Sequence, residues 1–248
     1  MIKNIIIDLD ETLVETDQAR DRLFDFLVRK YFEGVDAERF RLSFRNHSLK
    51  EMGSFQGEPF MTYGINSNDL FFHRHLEDHI DAKAAEDMKY RILEDTFRDL
   101  NLSYQKELAT QILSDLQERW LGYFEPIEGS REVLERLQKS GYRLYVLTDG
   151  FNEVQLPRVT QCGLDRFFDR VVASEELGIG KGSEEAFLRL MEQEGMIPLE
   201  TIMIGDNIRT DYNAHKVGIT ALLFDRHDAC KDKDVPCIRS LEEVFRFL

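Results

Sequence analysis

The stretch IIIDLDETLVETD at residues 5–17 constrains the fold more than any other part of the chain. Three consecutive isoleucines are typical of a strand that is buried on both faces, as in a parallel sheet. Asp8 and Asp10 follow where this apolar run ends. Because side chains at positions i and i+2 of an extended segment share one face, the two carboxylates can point into one cavity. We therefore expect a buried strand with an acidic pair at its carboxyl end.

The second half of the chain has a matching pattern. From about Tyr142 onward, amphipathic stretches alternate with short aliphatic runs, namely RLYVLTD, DRVVAS, TIMIGD and ITALLF. This alternation predicts βαβ units around a parallel sheet. Ser130 and Ser183 are predicted to cap the amino ends of two helices. Glycines are predicted to end three helical segments, at Gly141, Gly195 and Gly218.

The intervening stretch predicts helices only. From about Val14 to Glu125, apolar residues recur at a spacing near 3.6 residues. The sequence therefore predicts an α/β core domain formed by residues 1–14 and 126–248, with an all-helical cap domain, residues 15–125, inserted after the first strand. Two domains joined by two crossings imply a cleft between them.

Chemically useful side chains follow the predicted core strands. In a parallel α/β sheet, ligands bind beyond the carboxyl ends of the strands. The groups expected there are Asp8, Asp10, Thr148, Asp149, Lys181, Asp206 and Asp211. Such a cluster of carboxylates repels itself unless a cation lies in it, and hard oxygen ligands suit Mg²⁺. Taken singly, each motif has an ordinary structural explanation, since aspartate often ends strands and begins turns. Their convergence on one rim favours a catalytic site.

These groups suit reaction with an anionic, phosphate-like substrate. Asp8 could attack phosphorus and form an aspartyl-phosphate, which divides one difficult displacement into two easier ones. Asp10 could protonate the leaving oxygen and later accept a proton from water. Lys181, the Thr148 hydroxyl and Mg²⁺ would stabilise the charge on the phosphoryl oxygens.

Four segments resemble the motifs of the haloacid dehalogenase-like hydrolase superfamily, in their usual order. They are DLDET at residues 8–12, LTDG at residues 147–150, Lys181, and GDNIRTD at residues 205–211. The resemblance implies a Rossmann-like parallel sheet flanked by helices, a mobile helical cap of type 1, Mg²⁺ dependence and, in most members, phosphatase activity. The stretches TDGFNEVQ and GLDRFFDRVVASEELGIGK look most like cytosolic nucleotidases and related small-phosphomonoester phosphatases of the group.

The resemblance also implies a role for each residue. Asp8 corresponds to the nucleophile and Asp10 to the acid/base, while Thr148 and Lys181 correspond to the phosphate holders, with Asp149 beside them. The implied metal ligands are the carboxylates of Asp8 and Asp206 and the backbone carbonyl of Asp10, with Asp211 in the outer shell or sharing ligation.

Two positions depart from the usual pattern. Gly182 follows Lys181 where proline is common, so the loop is expected to be less rigid. Asp149 follows Thr148 where asparagine is commoner. The extra carboxylate could weaken phosphate binding, or it could point away and cap the next helix at Gly150 and Phe151; the second interpretation is favoured.

The amino-acid composition limits the classes of binding partner that we expect. A formal net charge of −15 without a basic patch disfavours nucleic acid. The chain has no apolar run long enough to span a membrane and no signal peptide, so a cytoplasmic location is expected. Three cysteines without a CxxC pair are interpreted as free thiols, at positions Cys162, Cys230 and Cys237. The expected partner is a small phosphorylated metabolite.

The leading hypothesis is a Mg²⁺-dependent phosphatase of a small phosphomonoester, either a nucleoside monophosphate or a sugar or acid phosphate. A phosphomutase shares the first half-reaction, and a receiver-like protein would hold an aspartyl-phosphate without turnover. Dehalogenase activity is disfavoured because that reaction needs neither an acid at Asp10 nor a metal. Within the cap, weak candidates for contacting a leaving group are Arg45, His47, Phe60 and Tyr63. His75 and His79 are four residues apart and could bind a metal, but exposed or hydrogen-bonded histidines are the favoured interpretation.

Overall fold

Within the described residues, six parallel strands form the centre of the α/β part of the molecule. The computed structural model describes residues 1–54, 63–64, 69–72, 81–226, 230 and 235–248. The strands are β1 (Asn4–Ile7), β2 (Arg143–Thr148), β3 (Arg170–Ala173), β4 (Thr201–Gly205), β5 (Thr220–Phe224) and β6 (Cys237–Ile238). They form one sheet in the order β3-β2-β1-β4-β5-β6, and every neighbouring pair is parallel. The predicted α/β fold is confirmed.

Strand β1 lies in the interior of this sheet. Ile7 is in register with Val146 of β2 on one side and with Ile204 of β4 on the other. The three isoleucines of β1 are at most 1% exposed, as expected for a strand covered on both faces. Because all strands run the same way, the carboxyl ends of β2, β1 and β4 are adjacent at one edge of the sheet.

The chain divides into two compact units, one formed by Met1–Thr16 with Glu125–Leu248 and the other by Asp17–Phe124. The described part of the second unit contains only helices, as its spacing of apolar residues predicts. They are α1 (Thr16–Tyr31, which begins at the last residue of the first unit), α2 (Ala37–Ser54), α3 (Asp69–Phe72), α4 (Ala82–Asp99), α5 (Lys106–Arg119) and a 3-10 turn at Trp120–Tyr123. Tilted and edge-on phenylalanine pairs pack inside this unit, among them Phe24 with Phe44 and Phe32 with Phe97.

The helices of the α/β unit surround its sheet. They are α6 (Ser130–Lys139), α7 (Asn152–Gln161), α8 (Ser174–Leu177) and α9 (Glu184–Glu194), with 3-10 segments at Asp165–Phe167, Pro198–Glu200, Asp211–Val217 and Leu241–Arg246. Side chains of α9 such as Phe187 and Leu190 pack with Tyr145 and Met203 in a buried cluster. Across the residues described in both units, no helix combines the length and the apolar character that crossing a bilayer would require.

The predicted helix ends are confirmed in part. Ser183 caps α9, since its hydroxyl accepts the Glu185 N–H at 3.3 Å, and α9 ends at Gly195 with a φ of 62°. The prediction that Ser130 caps α6 is wrong. The capping position is Gly129, whose φ is 81°, and Ser130 is the first helical residue, with its hydroxyl donating to the carbonyl of Leu13.

The prediction of three free thiols is wrong for two of the cysteines. Cys230 lies just beyond β5, and Cys237 begins β6, the neighbouring strand. Their Cα atoms are 6.7 Å apart, and the two residues form a disulfide. The two cysteines are seven residues apart, with Cys230 in the connection from β5 to β6 and Cys237 at the start of β6. Cys162 is free and buried, and burial raises the pKa of its thiol to about 11.

Candidate active site

Asp8, the residue that follows β1, lies at the centre of the acidic side chains at the carboxyl edge of the sheet. Asp8 is 5% exposed, and its backbone N–H donates to the Ile204 carbonyl at 2.8 Å, which extends the ladder between β1 and β4. The ammonium of Lys181 contacts Asp8 Oδ1 and lies 2.6 Å from Asp211 Oδ1. Three residues from separate segments of the chain thus meet at one buried point.

Three carboxylates that could bind a cation lie around this point. Carboxylate oxygens of Asp8, Asp206 and Asp211 all lie within 4.8 Å of one another. Asp211 Oδ1 is buried and accepts no hydrogen bond from the described residues, although Lys181 lies beside it. Three carboxylates against one ammonium leave an excess of negative charge. The donor set therefore fits a hard divalent cation such as Mg²⁺.

The turn after β4 gives Asp211 its position. The carboxylate of Asp211 accepts the Asn207 N–H at 2.9 Å through Oδ2. A Cβ on Gly205 would lie only 2.2 Å from that same oxygen, so no side chain fits at residue 205. The glycine of the GDNIRTD segment is therefore required by the close approach of Asp211 to the backbone.

The electrostatics of the cluster follow from burial and like charge. Burial, followed by the charge of Asp211, raises the pKa of Asp8 well above its ordinary range. Burial alone would lower the pKa of Lys181, but the charges of Asp211 and Asp8 outweigh it and raise that pKa. Asp206 is exposed as a residue, yet desolvation of its carboxyl group at the cluster, together with Asp211, raises its pKa to about 7.

The Lys181 loop is fixed on both sides by side chains. Asp149 Oδ1 accepts the backbone N–H of Lys181 at 2.7 Å, and burial raises the pKa of Asp149 to about 6. The amide of Asn213 donates to the carbonyls of Lys181 and Gly182, both at 3.1 Å. The expectation that Asp149 caps α7 is wrong: Phe151 occupies the capping position, and the first helical N–H, that of Asn152, donates to Glu175 Oε2 at 2.8 Å. A direct contact between Asp149 and phosphate stays a prediction.

Two further predicted residues are held by the buried face of α7. Thr148 is 1% exposed, and its hydroxyl donates to Gln155 Oε1 at 3.3 Å. Asp10 Oδ1 accepts a hydrogen bond from Arg158 Nη1 at 2.6 Å and another from the Thr16 hydroxyl. The Asp10 side chain thus contacts α7 and Thr16 rather than the Lys181 ammonium.

Sequence reasoning missed Gln155, Arg158 and Asn213. The sequence does indicate that Arg158 is buried, because Arg158 lies four residues after Val154 and therefore on the same apolar face of α7. A charged residue at that position is expected to have a specific buried partner. No comparable signal marks Asn213. Two of its three acceptors, the carbonyls of Lys181 and Gly182, belong to a loop about thirty residues earlier in the chain, and the third is the carbonyl of Arg209.

The backbone just after Asp10 adopts an uncommon conformation. Glu11 has a φ of 57°, in the left-handed region that few residues other than glycine, asparagine and aspartate occupy. Its N–H donates to the carbonyl of Val14 at 3.0 Å. The guanidinium of Arg226 contacts the carboxylates of Glu11 and Glu15, each at 2.6 Å. The turn that carries Asp10 is therefore tied to the segment after β5.

The weak candidates in the helical unit are only partly described. Nε2 of His47 lies 2.7 Å from Asp99 Oδ2, which joins α2 to α4, and Arg45 is exposed. Tyr63 is half-buried. Phe60, His75 and His79 lie outside the described residues. Contact of Arg45, His47, Phe60 or Tyr63 with a leaving group stays a prediction.

Comparisons with known proteins identify the family of this chain. The model of a family described as haloacid dehalogenase-like hydrolase matches residues 2–216. A glyceraldehyde 3-phosphate phosphatase of Pyrococcus abyssi is 27% identical over 90% of this chain and 82% of its own. A phosphoserine phosphatase of Thermus thermophilus is 26% identical over 98% of each chain.

A solved structure has the same fold as this chain. The HAD-hydrolase YfnB from Bacillus subtilis, in a structure bound to magnesium, superposes with a TM-score of 0.67 at 18% identity, over 100% of this chain and 98% of that one. The resemblance drawn from the sequence motifs is confirmed, and the chain belongs to the haloacid dehalogenase-like hydrolases.

Proposed function

We propose that this chain is a Mg²⁺-dependent phosphatase that hydrolyses a small phosphomonoester through an aspartyl-phosphate on Asp8. The observation that carries the proposal is the meeting of Asp8 with Lys181, Asp206 and Asp211 at the carboxyl edge of the sheet. A buried carboxylate beside an ammonium group and an excess of acidic oxygens suits attack on a phosphoryl group that arrives with a divalent cation.

Each residue has a defined task in the first step. An Asp8 carboxylate oxygen forms a bond to phosphorus while the bond from phosphorus to the leaving oxygen breaks, and its electron pair stays on that oxygen. Asp10 gives the leaving oxygen its proton. The Lys181 ammonium holds the phosphoryl oxygens and stabilises their charge, and the Thr148 hydroxyl joins it when its proton turns from Gln155 Oε1 to a phosphoryl oxygen.

The second step uses the same residues in reverse roles. Water attacks phosphorus and transfers its proton to Asp10, while the bond between phosphorus and Asp8 breaks. The products are inorganic phosphate and the free Asp8 carboxylate. Mg²⁺ would be held by the carboxylates of Asp8, Asp206 and Asp211 and the backbone carbonyl of Asp10. When bound, it supplies positive charge that keeps these carboxylates ionised and neutralises the phosphoryl oxygens.

The relatives support a small substrate. Both phosphatases reported above are named for small phosphomonoesters, glyceraldehyde 3-phosphate and phosphoserine. We propose that this chain acts on a sugar or acid phosphate of that size or on a nucleoside monophosphate, and that residues 15–125 act as the cap that selects it. In this family the same core serves many substrates, so the choice lies outside the residues that react with phosphate.

The test is phosphate release from a panel of phosphorylated metabolites and from an aryl phosphate. We expect turnover with Mg²⁺, none with excess EDTA, and none from the Asp8→Asn variant. Asp169→Asn is a matched control, because Asp169 also lies in the α/β unit and accepts a backbone N–H, that of Leu144, at 2.8 Å. Full activity of Asp8→Asn would refute the nucleophile assignment.

The same assay separates the alternatives. An isomeric sugar phosphate in place of free phosphate would identify a phosphomutase. A phosphorylated protein that persists for minutes without turnover would identify a receiver-like protein instead of an enzyme. We expect neither result.

A further inference from the structure

A fully buried arginine lies on the inner face of α7. Arg158 is 0% exposed, and its neighbours on this face, Val154, Gln155 and Val159, are also buried. Removing a guanidinium from water is unfavourable unless the charge is paired and hydrogen-bonded. A large apolar side chain would fill this position without the free-energy cost of removing a charge from water. The position of Arg158 therefore requires an explanation other than packing.

Its described counter-charge is the proposed acid/base. Arg158 Nη1 donates to Asp10 Oδ1 at 2.6 Å, across 148 residues of chain. The Thr16 hydroxyl donates to the same oxygen. Within the described residues no donor contacts Asp10 Oδ2, and the Asp10 side chain is 27% exposed. The carboxylate is thus anchored through one oxygen, and its other oxygen remains available.

From this geometry we infer that Arg158 is a positioning residue for Asp10. This inference rests on the function proposed above. By fixing Oδ1, the guanidinium sets the rotation of the carboxyl group, so that Oδ2 gives its proton to the leaving oxygen as the bond from that oxygen to phosphorus breaks. In the second step Oδ2 accepts the proton that water loses as it attacks phosphorus. Arg158 itself touches neither substrate nor phosphorus.

Arginine suits this task better than lysine. Its planar guanidinium has a fixed fork of donors and holds a carboxylate in a defined direction, whereas an ammonium on a flexible stem does not. Charge alone would not fix the orientation of Asp10. We therefore expect Arg158→Lys to keep the positive charge and lose much of the alignment.

The test compares two aromatic substrates whose leaving groups differ. The para-nitrophenolate ion leaves without a proton, but the alkoxide from benzyl phosphate needs one. The ratio kcat/KM reports steps up to the loss of the leaving group. For Arg158→Lys we expect kcat/KM to fall about 100-fold with benzyl phosphate and less than about threefold with para-nitrophenyl phosphate, within the range of general acid–base effects.

A second readout follows the second step. With para-nitrophenyl phosphate, Arg158→Lys should accumulate phosphorylated protein, because a misaligned Asp10 accepts the proton of water poorly. The acid-quenched, hydroxylamine-sensitive phosphoprotein is measured during turnover. A role limited to packing would lower the activity without changing this occupancy.

Two variants guard against a simple folding defect. Arg131→Lys is the control, because the exposed Arg131 donates to the Cys162 carbonyl at 2.7 Å, at the far end of α7. We expect it to behave like the wild type. Thr16→Val removes the other donor to Asp10 Oδ1 and keeps the side-chain size, so it should show the same dependence on leaving group as Arg158→Lys.

The outcomes are distinct. Equal losses on both substrates in Arg158→Lys and in Thr16→Val would overturn the inference while the phosphatase stands. A wild-type protein that releases phosphate from neither substrate refutes the proposed function, and the inference falls with it. A leaving-group-dependent loss in Thr16→Val supports the anchoring of Asp10 through Oδ1 even where Arg158→Lys unfolds.

Discussion

Replacing Asp149 by asparagine should stabilise the protein in a pH-dependent manner. The structure shows that the Asp149 carboxylate accepts the Lys181 N–H at 2.7 Å, and an asparagine Oδ1 can accept the same hydrogen bond. Burial is the largest influence on Asp149 and raises its pKa from the ordinary 3.8 to about 6. The variant therefore removes a poorly solvated charge and keeps the contact.

The sign and size follow from proton linkage. The folded state holds the Asp149 proton more tightly than the unfolded state does. This contribution is complete below the unfolded pKa of 3.8 and is lost as the pH rises through about 6. At about 1.4 kcal/mol for each pKa unit, the full loss is about 3 kcal/mol. Asp149→Asn lacks this loss, so its advantage in free energy of unfolding should grow from near zero at about pH 4 to at most about 3 kcal/mol at about pH 8.

The assay is urea unfolding of the wild type and Asp149→Asn across this pH range, in EDTA so that no divalent cation binds. The single tryptophan, Trp120, belongs to the helical unit, so far-ultraviolet circular dichroism is the better probe of the α/β unit. Asp169→Asn measures what the loss of a carboxylate hydrogen-bonded to a backbone N–H does by itself. An advantage of Asp149→Asn that does not vary with pH would refute the reasoning.

Two further substitutions test how the site is built. In Gly205→Ala the new Cβ would lie 2.2 Å from Asp211 Oδ2. We therefore expect the Mg²⁺ affinity measured by calorimetry to fall and the free energy of unfolding to drop by about 1–3 kcal/mol. Gly182→Ala is the control and should lose little stability, because its Cβ would have no neighbour within 4 Å. Asn213→Ala removes the amide that donates to the carbonyls of Lys181 and Gly182. We expect the free energy of unfolding in urea to fall by about 1–3 kcal/mol and KM for phosphate esters to rise. An unchanged KM would contradict the role of Asn213 in holding the Lys181 loop.

Much of the α/β unit could be predicted because local pattern and topology agree. The isoleucines of β1 match the composition of a strand covered on both faces, and Asp8 directly follows them. The rule that ligands bind beyond the carboxyl ends of parallel strands then brings Asp206 beside Asp8 without any knowledge of tertiary contacts. The structure places oxygens of both residues in one group.

The remaining contacts depend on tertiary packing that the sequence pattern does not contain. Asp149 could turn toward α7 or toward the Lys181 loop, and only the packing of that loop favours the second. The Cys230–Cys237 pair spans seven residues, a spacing that matches no CxxC motif. Ser130 has the composition of a capping residue, but the positive φ of Gly129 shifts the helix start by one position. For Asp149, local propensity allowed two outcomes, and a contact with the loop 32 residues later decided between them.

The interior position of β1 has a consequence for synthesis of the chain. Asn4 emerges from the ribosome before its neighbours in the sheet, Arg143 and Thr201, which follow 139 and 197 residues later. At about 5–20 residues per second, the isoleucine run waits for many seconds with both edges unpaired. Pairing over such separations is slow, so the nascent chain should need protection of this apolar segment until β2 and β4 exist.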